Sequence, residues 1–187
     1  METEIKFRVR DVEQLESALR ASGFHEQTLR TREMNTIYDL PGRVLFHRGE
    51  LLRIRKYGDR WLLTHKSGRT QSGDRHKLRK ETETYVEDGD ALSQILSNLG
   101  FQVVFRYEKF RTEWTDDCGD VVIDETPIGN FAEIEGAPNW IDEIAARLGI
   151  SEDQYITGSY AELFFAWKRE TGSTAENMTF EDVETKA

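Results

Sequence analysis

A single cysteine, Cys118, stands among 187 residues. One thiol excludes an internal disulfide framework and a cysteine-rich metal site, and it fits a reducing cytoplasm. It reads as a spare residue in a turn. No apolar run approaches the roughly 20 residues that cross a bilayer. Nor does the N-terminus show the charged-then-apolar order of a signal peptide. The expectation is therefore a cytoplasmic protein with no membrane partner. An excess of positive charge is also lacking: the formal net charge is −10. A general nucleic-acid binder needs an outward basic surface to neutralise phosphates, so no nucleic-acid partner is expected. His25, His47, His65 and His76 show no metal-ligand spacing and supply no convincing catalytic base. The stretch from Ser67-Gly68 to Gly73 has flexible-loop chemistry but lacks the Gly-Lys-Ser/Thr ending of a nucleotide P-loop.

The chain is long enough to bury a core, and 37% of it is hydrophobic. Residues 1–170 read as one domain. Residues 171–187 are polar, acidic and aperiodic, and read as a disordered tail. Four helices are signalled. Asp11 caps one that carries Val12, Leu15 and Leu19 and stops at Gly23. Asp88 or Asp90 opens one with Leu92, Ile95, Leu96 and Leu99 buried, ending at Gly100. A third runs from about Pro138 to Leu148. Ser159 and Glu162 form a capping box for a fourth that bears Leu163, Phe164 and Trp167. Strands are predicted at about 2–9, 33–40, 50–57, 60–66, 77–86, 103–115, 120–125 and 131–136, with Gly58-Asp59 as a hairpin turn. Helix, Gly23-Phe24, strand is echoed by helix, Gly100-Phe101, strand, which suggests two repeated halves.

Strand alternation supplies the chemical signal. Alternate residues of a strand face opposite sides. In Glu2-Thr3-Glu4-Ile5-Lys6-Phe7-Arg8-Val9 one face is wholly ionisable and the other is apolar but for Thr3. The pattern returns in Arg53/Arg55, Arg79/Glu81/Glu83, Lys109/Arg111/Glu113 and Glu133/Glu135. Solvent-facing strand positions usually mix in Thr, Ser and Gln, so these faces are expected to meet around a charged interior. His65 falls on the opposite face from Lys66 and is expected to pack outward. Isolated buried charges cost several kcal/mol each. Such an interior persists only if it is wet, internally paired or filled by charged ligands. Arginine forks and lysine point charges suit phosphate oxygens, while grouped carboxylates suit a hard divalent cation. Together they predict a metal–polyphosphate complex.

The chain resembles the CYTH superfamily, also called triphosphate tunnel metalloenzymes. Glu2-x-Glu4-x-Lys6 looks like the signature strand of that superfamily. Tyr38-Asp39, Leu52-Arg53-Ile54-Arg55, Thr64-His65-Lys66, the run from Lys77 to Glu83, Lys109-Phe110-Arg111, Asp124 and Glu133-Ile134-Glu135 follow in the family's order. Gly129-Asn130-Phe131-Ala132-Glu133-Ile134-Glu135 and Ser159-Tyr160 are similar to the bacterial class IV adenylyl cyclases.

The resemblance implies an α+β fold in which an eight-stranded antiparallel β-barrel forms a tunnel with helices packed outside. It implies that Arg53, Arg55, Lys66, Lys77, Lys109 and Arg111 bind the triphosphate. Lys6, Lys66 and Arg79 are its catalytic candidates. Glu2, Glu4, Asp124, Glu133 and Glu135 would bind Mg2+ or Mn2+. Arg8 is open between lining the tunnel and a plain salt bridge, and Glu83 and Glu113 are expected to pair with basic residues. The substrate would be a small-molecule triphosphate: ATP, thiamine triphosphate or tripolyphosphate. The first reading is conversion of ATP to cyclic AMP and pyrophosphate. The alternatives are a triphosphatase and a non-catalytic polyphosphate-binding module. Either a monomer or a homodimer is compatible with the chain.

Overall fold

A computed structural model gives the structure of residues 2–68 and 77–186, without the side chains of Glu2, Lys77, Leu78 and Arg79. The predicted flexible loop lies mostly outside these described residues, as do Arg69, Arg75 and His76. The first half of the chain is β1 (Glu2–Val9), α1 (Val12–Ala21), β2 (His25–Asp39), α2 (Val44–His47), β3 (Leu51–Tyr57) and β4 (Arg60–Ser67). The second half is β5 (Lys77–Val86), α3 (Gly89–Asn98), β6 (Gln102–Thr115), β7 (Asp120–Thr126) and β8 (Gly129–Glu135). Then follow α4 (Pro138–Arg147), α5 (Tyr160–Thr171) and α6 (Phe180–Lys186).

The strands close into an antiparallel barrel in the order β1-β5-β4-β3-β2-β6-β7-β8. Exchanging each strand with its counterpart four places along reproduces the same ring, so the predicted repeat is a two-fold relation between halves. Asp11 accepts from the Gln14 amide at 3.0 Å and Asp88 from the Ala91 amide at 2.9 Å. Each cap satisfies an orphan donor at the same point of its half and stabilises its helix by about 1 kcal/mol. The Gly58-Asp59 turn is a two-residue hairpin with Tyr57 opposite Arg60 and Gly58 at φ +57°.

The hydrophobic core lies outside the barrel. Ile5 and Phe7 of β1, Trp114 of β6, Val121 and Ile123 of β7, and Ala132 and Ile134 of β8 pack against Leu19 of α1 and Ile141, Ile144 and Ala145 of α4. On the other flank, Tyr38 and Ile54 pack under Leu96 of α3, and the Tyr38 hydroxyl bonds Ser93 at 2.7 Å. Apolar strand faces thus turn outward to helices and polar faces turn inward. Asp39 holds the short turn of α2 by accepting from the amides of Leu45 at 2.8 Å and Phe46 at 3.1 Å. Among the described residues no helix is long and apolar enough to cross a membrane.

Three sequence expectations need correction. Ile95 and Leu99 of α3, expected to be buried, are 54% and 67% exposed, and only Leu96 and Leu92 of that set pack against the sheet. β2 begins at His25, not near residue 33, and pairs with β6 along its length with register shifts near Glu26, Thr28 and Ile37. Its first half carries polar residues on both faces and an exposed Leu29, so no alternation marks it. The tail expected to be disordered is instead ordered through Lys186. β7 pairs with β6 only from Phe110 onward, which leaves the earlier edge of β6 without a strand partner. The tail covers that edge. The Arg106 amide donates to Asn177 Oδ1 at 2.8 Å, the Glu108 amide to the Met178 carbonyl at 3.0 Å, and the Met178 amide to the Arg106 carbonyl at 3.0 Å. Buried backbone groups must find partners, and this segment supplies them. Ala175, Met178 and Val183 then bury against Phe105, Tyr107 and Phe164. Ala175, Met178, Phe180, Val183 and Ala187 in an acidic stretch were too few to signal this from sequence.

Candidate active site

The barrel interior is charged and graded in exposure. At its deep end Glu33 and Asp124 are 0% exposed, Lys6 and Lys109 2%, and Glu133 5%. Towards the mouth Arg55 and Glu81 are half-buried, and Glu83, Tyr85 and Arg60 are exposed. The deep end is stoppered by aromatics. Tyr160, the first residue of α5, stacks on Tyr107 at 5.8 Å and meets Phe131 edge-on at 5.8 Å. Behind it Phe164 packs on Phe105 at 5.5 Å. The Tyr160 hydroxyl donates to Asp124 Oδ2 at 2.5 Å, and its ring lies under the ammonium groups of Lys6 at 4.5 Å and Lys109 at 4.8 Å. Burial, together with Asp124 and Glu133, pushes the Tyr160 phenol well above its ordinary value. It is a fixed donor.

Asp124 on β7 organises the cations of β6. One oxygen accepts from Arg111 Nε at 2.7 Å; the other accepts from Lys109 Nζ and Arg111 Nη2, both at 2.7 Å, as well as from Tyr160. Four hydrogen bonds occupy roughly the whole acceptor capacity of a carboxylate. Glu133 on β8 takes Lys6 Nζ at 2.8 Å and Arg111 Nη2 at 2.5 Å. Burial alone would raise the Glu133 carboxyl, but Lys6, Arg111 and Lys109 hold it well below the usual glutamate range. Burial likewise opposes the charge on Lys6, yet Glu133 and Glu4 raise it above the ordinary lysine value.

Three carboxylates stand together on one wall. Glu4 on β1 lies directly across from Glu135 on β8, and Glu133 is one inward position further along β8. One oxygen from each of Glu4, Glu133 and Glu135 falls within 4.8 Å of the others. Three carboxylate oxygens at this spacing are a donor set of the kind a hard divalent cation takes. Asp124 is not in that group. Glu2 sits opposite Arg79, and Glu4 opposite Lys77, across the β1–β5 ladder. The side chains of Glu2, Lys77 and Arg79 lie outside the described residues, so their predicted roles stand only as expectations.

The facing wall is basic. Arg53 on β3 donates to the Tyr107 hydroxyl at 3.2 Å and to Thr64 Oγ1 at 3.3 Å, with Glu81 at 3.7 Å and Glu83 at 3.8 Å. Burial would raise the Tyr107 phenol, but Arg53 overrides that and brings it below its ordinary value. Lys66 on β4 pairs with Glu81 at 2.8 Å. Arg55 points toward Glu33 at 3.7 Å. Arg8 leaves the interior: it is exposed, with its guanidinium 4.9 Å above the Phe131 ring. His65 turns outward as predicted, toward Glu50 at 3.7 Å.

Between the walls lies a cavity of two adjoining lobes that share Gln27, Arg55, Glu83 and Glu113. One, of about 320 Å³, reaches Arg111, Asp120 and Glu135. The other, of about 330 Å³, extends along Tyr57, Leu62 and Tyr85 to Arg60 at the hairpin turn. The interior is therefore an open cup with acids on β8 and β1, cations on β3, β4 and β6, and an aromatic-walled annex near its mouth.

The family profile of the CYTH domain matches residues 1–160. The chain belongs to the CYTH family. A Methanocaldococcus jannaschii protein named "Putative adenylate cyclase MJ0240" is 29% identical to this CYTH chain over 175 residues, which is 87% of this chain and 98% of the other. The same fold is seen in a Vibrio parahaemolyticus structure described as a "putative adenylate cyclase", with a TM-score of 0.75 and 20% identity over 88% of this chain and 97% of that one. It recurs in the Hippeastrum protein HpAC1, described as revealing a dominant triphosphatase activity, with a TM-score of 0.67 and 18% identity over 89% of this chain and 96% of that one.

Of the residues predicted for the site, the structure gathers Glu4, Lys6, Arg53, Arg55, Lys66, Lys109, Arg111, Asp124, Glu133 and Glu135 inside one barrel. Sequence reasoning missed Glu33, Asn35 and Tyr107 in this CYTH interior, and it named Thr64 and Tyr160 only within motifs, without a role. Glu33 and Asn35 occupy alternate positions, and that spacing was the available signal. It was hidden because Met34 and Arg32 on the opposite face are not a conventional apolar pair.

Proposed function

We propose that this chain is a divalent-metal-dependent enzyme that processes an organic triphosphate in the barrel interior, with ATP to cyclic AMP and pyrophosphate as the first reading. One observation carries it: a carboxylate trio within 4.8 Å faces a set of buried guanidinium and ammonium groups inside one barrel. Glu4, Glu133 and Glu135 would hold Mg2+ or Mn2+, because their oxygens are hard donors and the low pKa of Glu133 keeps it ionised. When bound, the ion would supply neutralisation of phosphate charge.

The remaining work falls to the chain's own side chains. Arg53, Arg55 and Lys66 would grip phosphate oxygens, and Lys109 and Arg111 are already aimed by Asp124. Lys6 would keep Glu133 in place and offer positive charge beside it. In the cyclase reading the 3′ hydroxyl attacks the α-phosphorus. A bond forms from that oxygen to phosphorus, the α–β bridging bond breaks, and the hydroxyl proton departs as pyrophosphate leaves. Fixed cations lower the barrier by stabilising charge on the leaving group, so catalysis rests on position and electrostatics. The annex sets Tyr57, Leu62 and Tyr85 among polar and charged lining residues, and these three give an organic group a surface to pack on, which favours ATP or thiamine triphosphate over tripolyphosphate. The adenylate cyclase name of the archaeal relative supports the first reading.

Hydrolysis of the same triphosphate is the second reading, supported by the triphosphatase activity named for the Hippeastrum protein. It uses the same groups: water attacks the terminal phosphorus, the β–γ bridging bond breaks, and the products are the diphosphate, inorganic phosphate and a proton released to solvent. The deciding experiment offers purified protein ATP, thiamine triphosphate and tripolyphosphate with Mg2+ or Mn2+ and identifies products by phosphorus NMR. Cyclic AMP with pyrophosphate is the expected result; inorganic phosphate selects the hydrolase. Tight binding without turnover selects a binding module, and neither binding nor turnover sinks the proposal.

A further inference from the structure

Glu33 is a buried carboxylate of the barrel interior that the mechanism above leaves unused. It is 0% exposed on β2 and belongs to neither the carboxylate trio nor the Asp124 cluster. Directly across one ladder is Lys109, whose ammonium is 3.5 Å from Glu33 Oε1, and Arg55 Nε on β3 lies 3.7 Å from Oε2. Asn35, the next inward residue of β2, donates to Oε1 at 2.8 Å. The cation contacts are long. Charge-assisted hydrogen bonds run nearer 2.7–2.9 Å, as the Lys109–Asp124 contact does at 2.7 Å. Glu33 Oε2, Asn35 Oδ1, Arg53 Nε and Arg55 Nε are all buried without a hydrogen-bond partner among the described residues. Of these, Arg53 Nε and Arg55 Nε are donors that an anionic occupant would complete, whereas Glu33 Oε2 and Asn35 Oδ1 are acceptors that an anion cannot satisfy. Lys109, Arg55, Arg111 and Arg53 together override burial and hold the Glu33 carboxyl well below its ordinary value, so it stays an anion.

A carboxylate within Coulomb range of two cations, yet not tightly bonded to either, neutralises them without consuming their donors. Phosphate oxygens would seek those same donors. Resting on the triphosphate reading above, we propose that Glu33 is a positioning residue. It is an internal counter-anion that keeps Arg55 and Lys109 aimed into the cavity between turnovers and competes with bound phosphate for them. It thereby caps affinity for the polyphosphate and eases release of the anionic product.

The expected behaviour is opposite to that of a ligand or structural residue. In Glu33→Gln the Asn35 hydrogen bond is kept, and Lys109 retains Asp124. Removing one screened unit charge at cavity distances should tighten tripolyphosphate binding by about tenfold in calorimetry. With ATP, KM and kcat should fall together as release slows. Glu33→Met removes the same charge without a polar replacement and should tighten tripolyphosphate binding by a similar factor. It also serves as an independent probe should Glu33→Gln fold poorly. The double variant E33Q/N35D restores both the net charge and the hydrogen bond, and should return affinity to the parent value. A purely structural Glu33 would lower the melting temperature without tightening binding, which overturns the inference. So does unchanged or weaker binding by Glu33→Gln while the parent binds, and in that case the triphosphate reading stands. If neither the parent nor Glu33→Gln binds tripolyphosphate, ATP or thiamine triphosphate, the proposed function falls and takes this inference with it. Binding by the variant alone supports the counter-anion role.

Discussion

The two halves of the barrel share a path and differ in charge. β3 offers Arg53 and Arg55 where its counterpart β7 offers Asp120 and Asp124. β4 offers Thr64 and Lys66 where β8 offers Glu133 and Glu135. β2 brings Glu33 inward, and β6 brings Lys109 and Arg111. The sign inverts at each of these strand pairs. A symmetric barrel would set like charges against like. The inverted one sets an acidic wall against a basic wall, and buried opposite charges keep each other ionised. The repeated strand order accounts for the geometry, and the inversion of sign accounts for the acidic and basic walls of one interior.

Breaking the acidic wall should have the largest effect. Glu135→Gln keeps size and removes charge from the carboxylate trio, and turnover of the preferred triphosphate should fall by about 10²–10³, the scale of losing one key electrostatic group. Circular dichroism should show an unchanged fold, and a near-parental rate would remove Glu135 from the metal role. Asp124→Asn strips the shared anchor of Lys109, Arg111 and Tyr160. Breaking a buried ion pair costs about 3–5 kcal/mol, and at this chain length the melting temperature should drop by roughly 10 °C. A shift of only one or two degrees would mean the β6 cations hold themselves. On the basic wall, Arg53→Ala should weaken triphosphate affinity by about 10–100-fold, the scale of a charge-assisted contact. A large loss of stability without loss of affinity would make Arg53 a structural partner of Tyr107 and Thr64.

Acid titration gives the mildest comparison. The folded-state pKa of Glu133 lies well below 4.5, so its contribution is complete above about pH 4.5 and is lost as pH falls through the folded value. The folded-state pKa of Lys6 lies above 10.5, so its contribution is complete below that pH and is lost as pH rises through the folded value. Melting temperature should therefore plateau between these limits. Glu133→Gln should flatten the acid limb, and an acid limb identical to the parent's would place the sensitive groups elsewhere.

Much of the interior was legible because strand alternation is a two-residue period, and ionisable residues on one face of several strands seldom arise at a plain surface. Glu4, Lys6, Arg53, Arg55, Lys109, Arg111, Glu133 and Glu135 could be named for that reason. Tyr160 could not be placed, because it enters the barrel end from a helix whose own periodicity describes only its packing face. Asp124 was read as a metal ligand, whereas its oxygens are occupied by Lys109, Arg111 and Tyr160. Which acid meets which cation depends on cross-strand register. The C-terminal segment was misread since its order comes from an unpaired edge of β6, a demand set by another part of the chain.

The sequence by itself determined the alternating faces, the caps, the hairpin and the repeated order of elements, since each is set by neighbours within a few residues. Only the tertiary structure decided that the apolar faces turn outward beneath the helices, that Tyr160 closes one end, and that Glu33 stands between Arg55 and Lys109. Those outcomes depend on barrel closure, which brings together side chains far apart in the chain and takes them out of water at once.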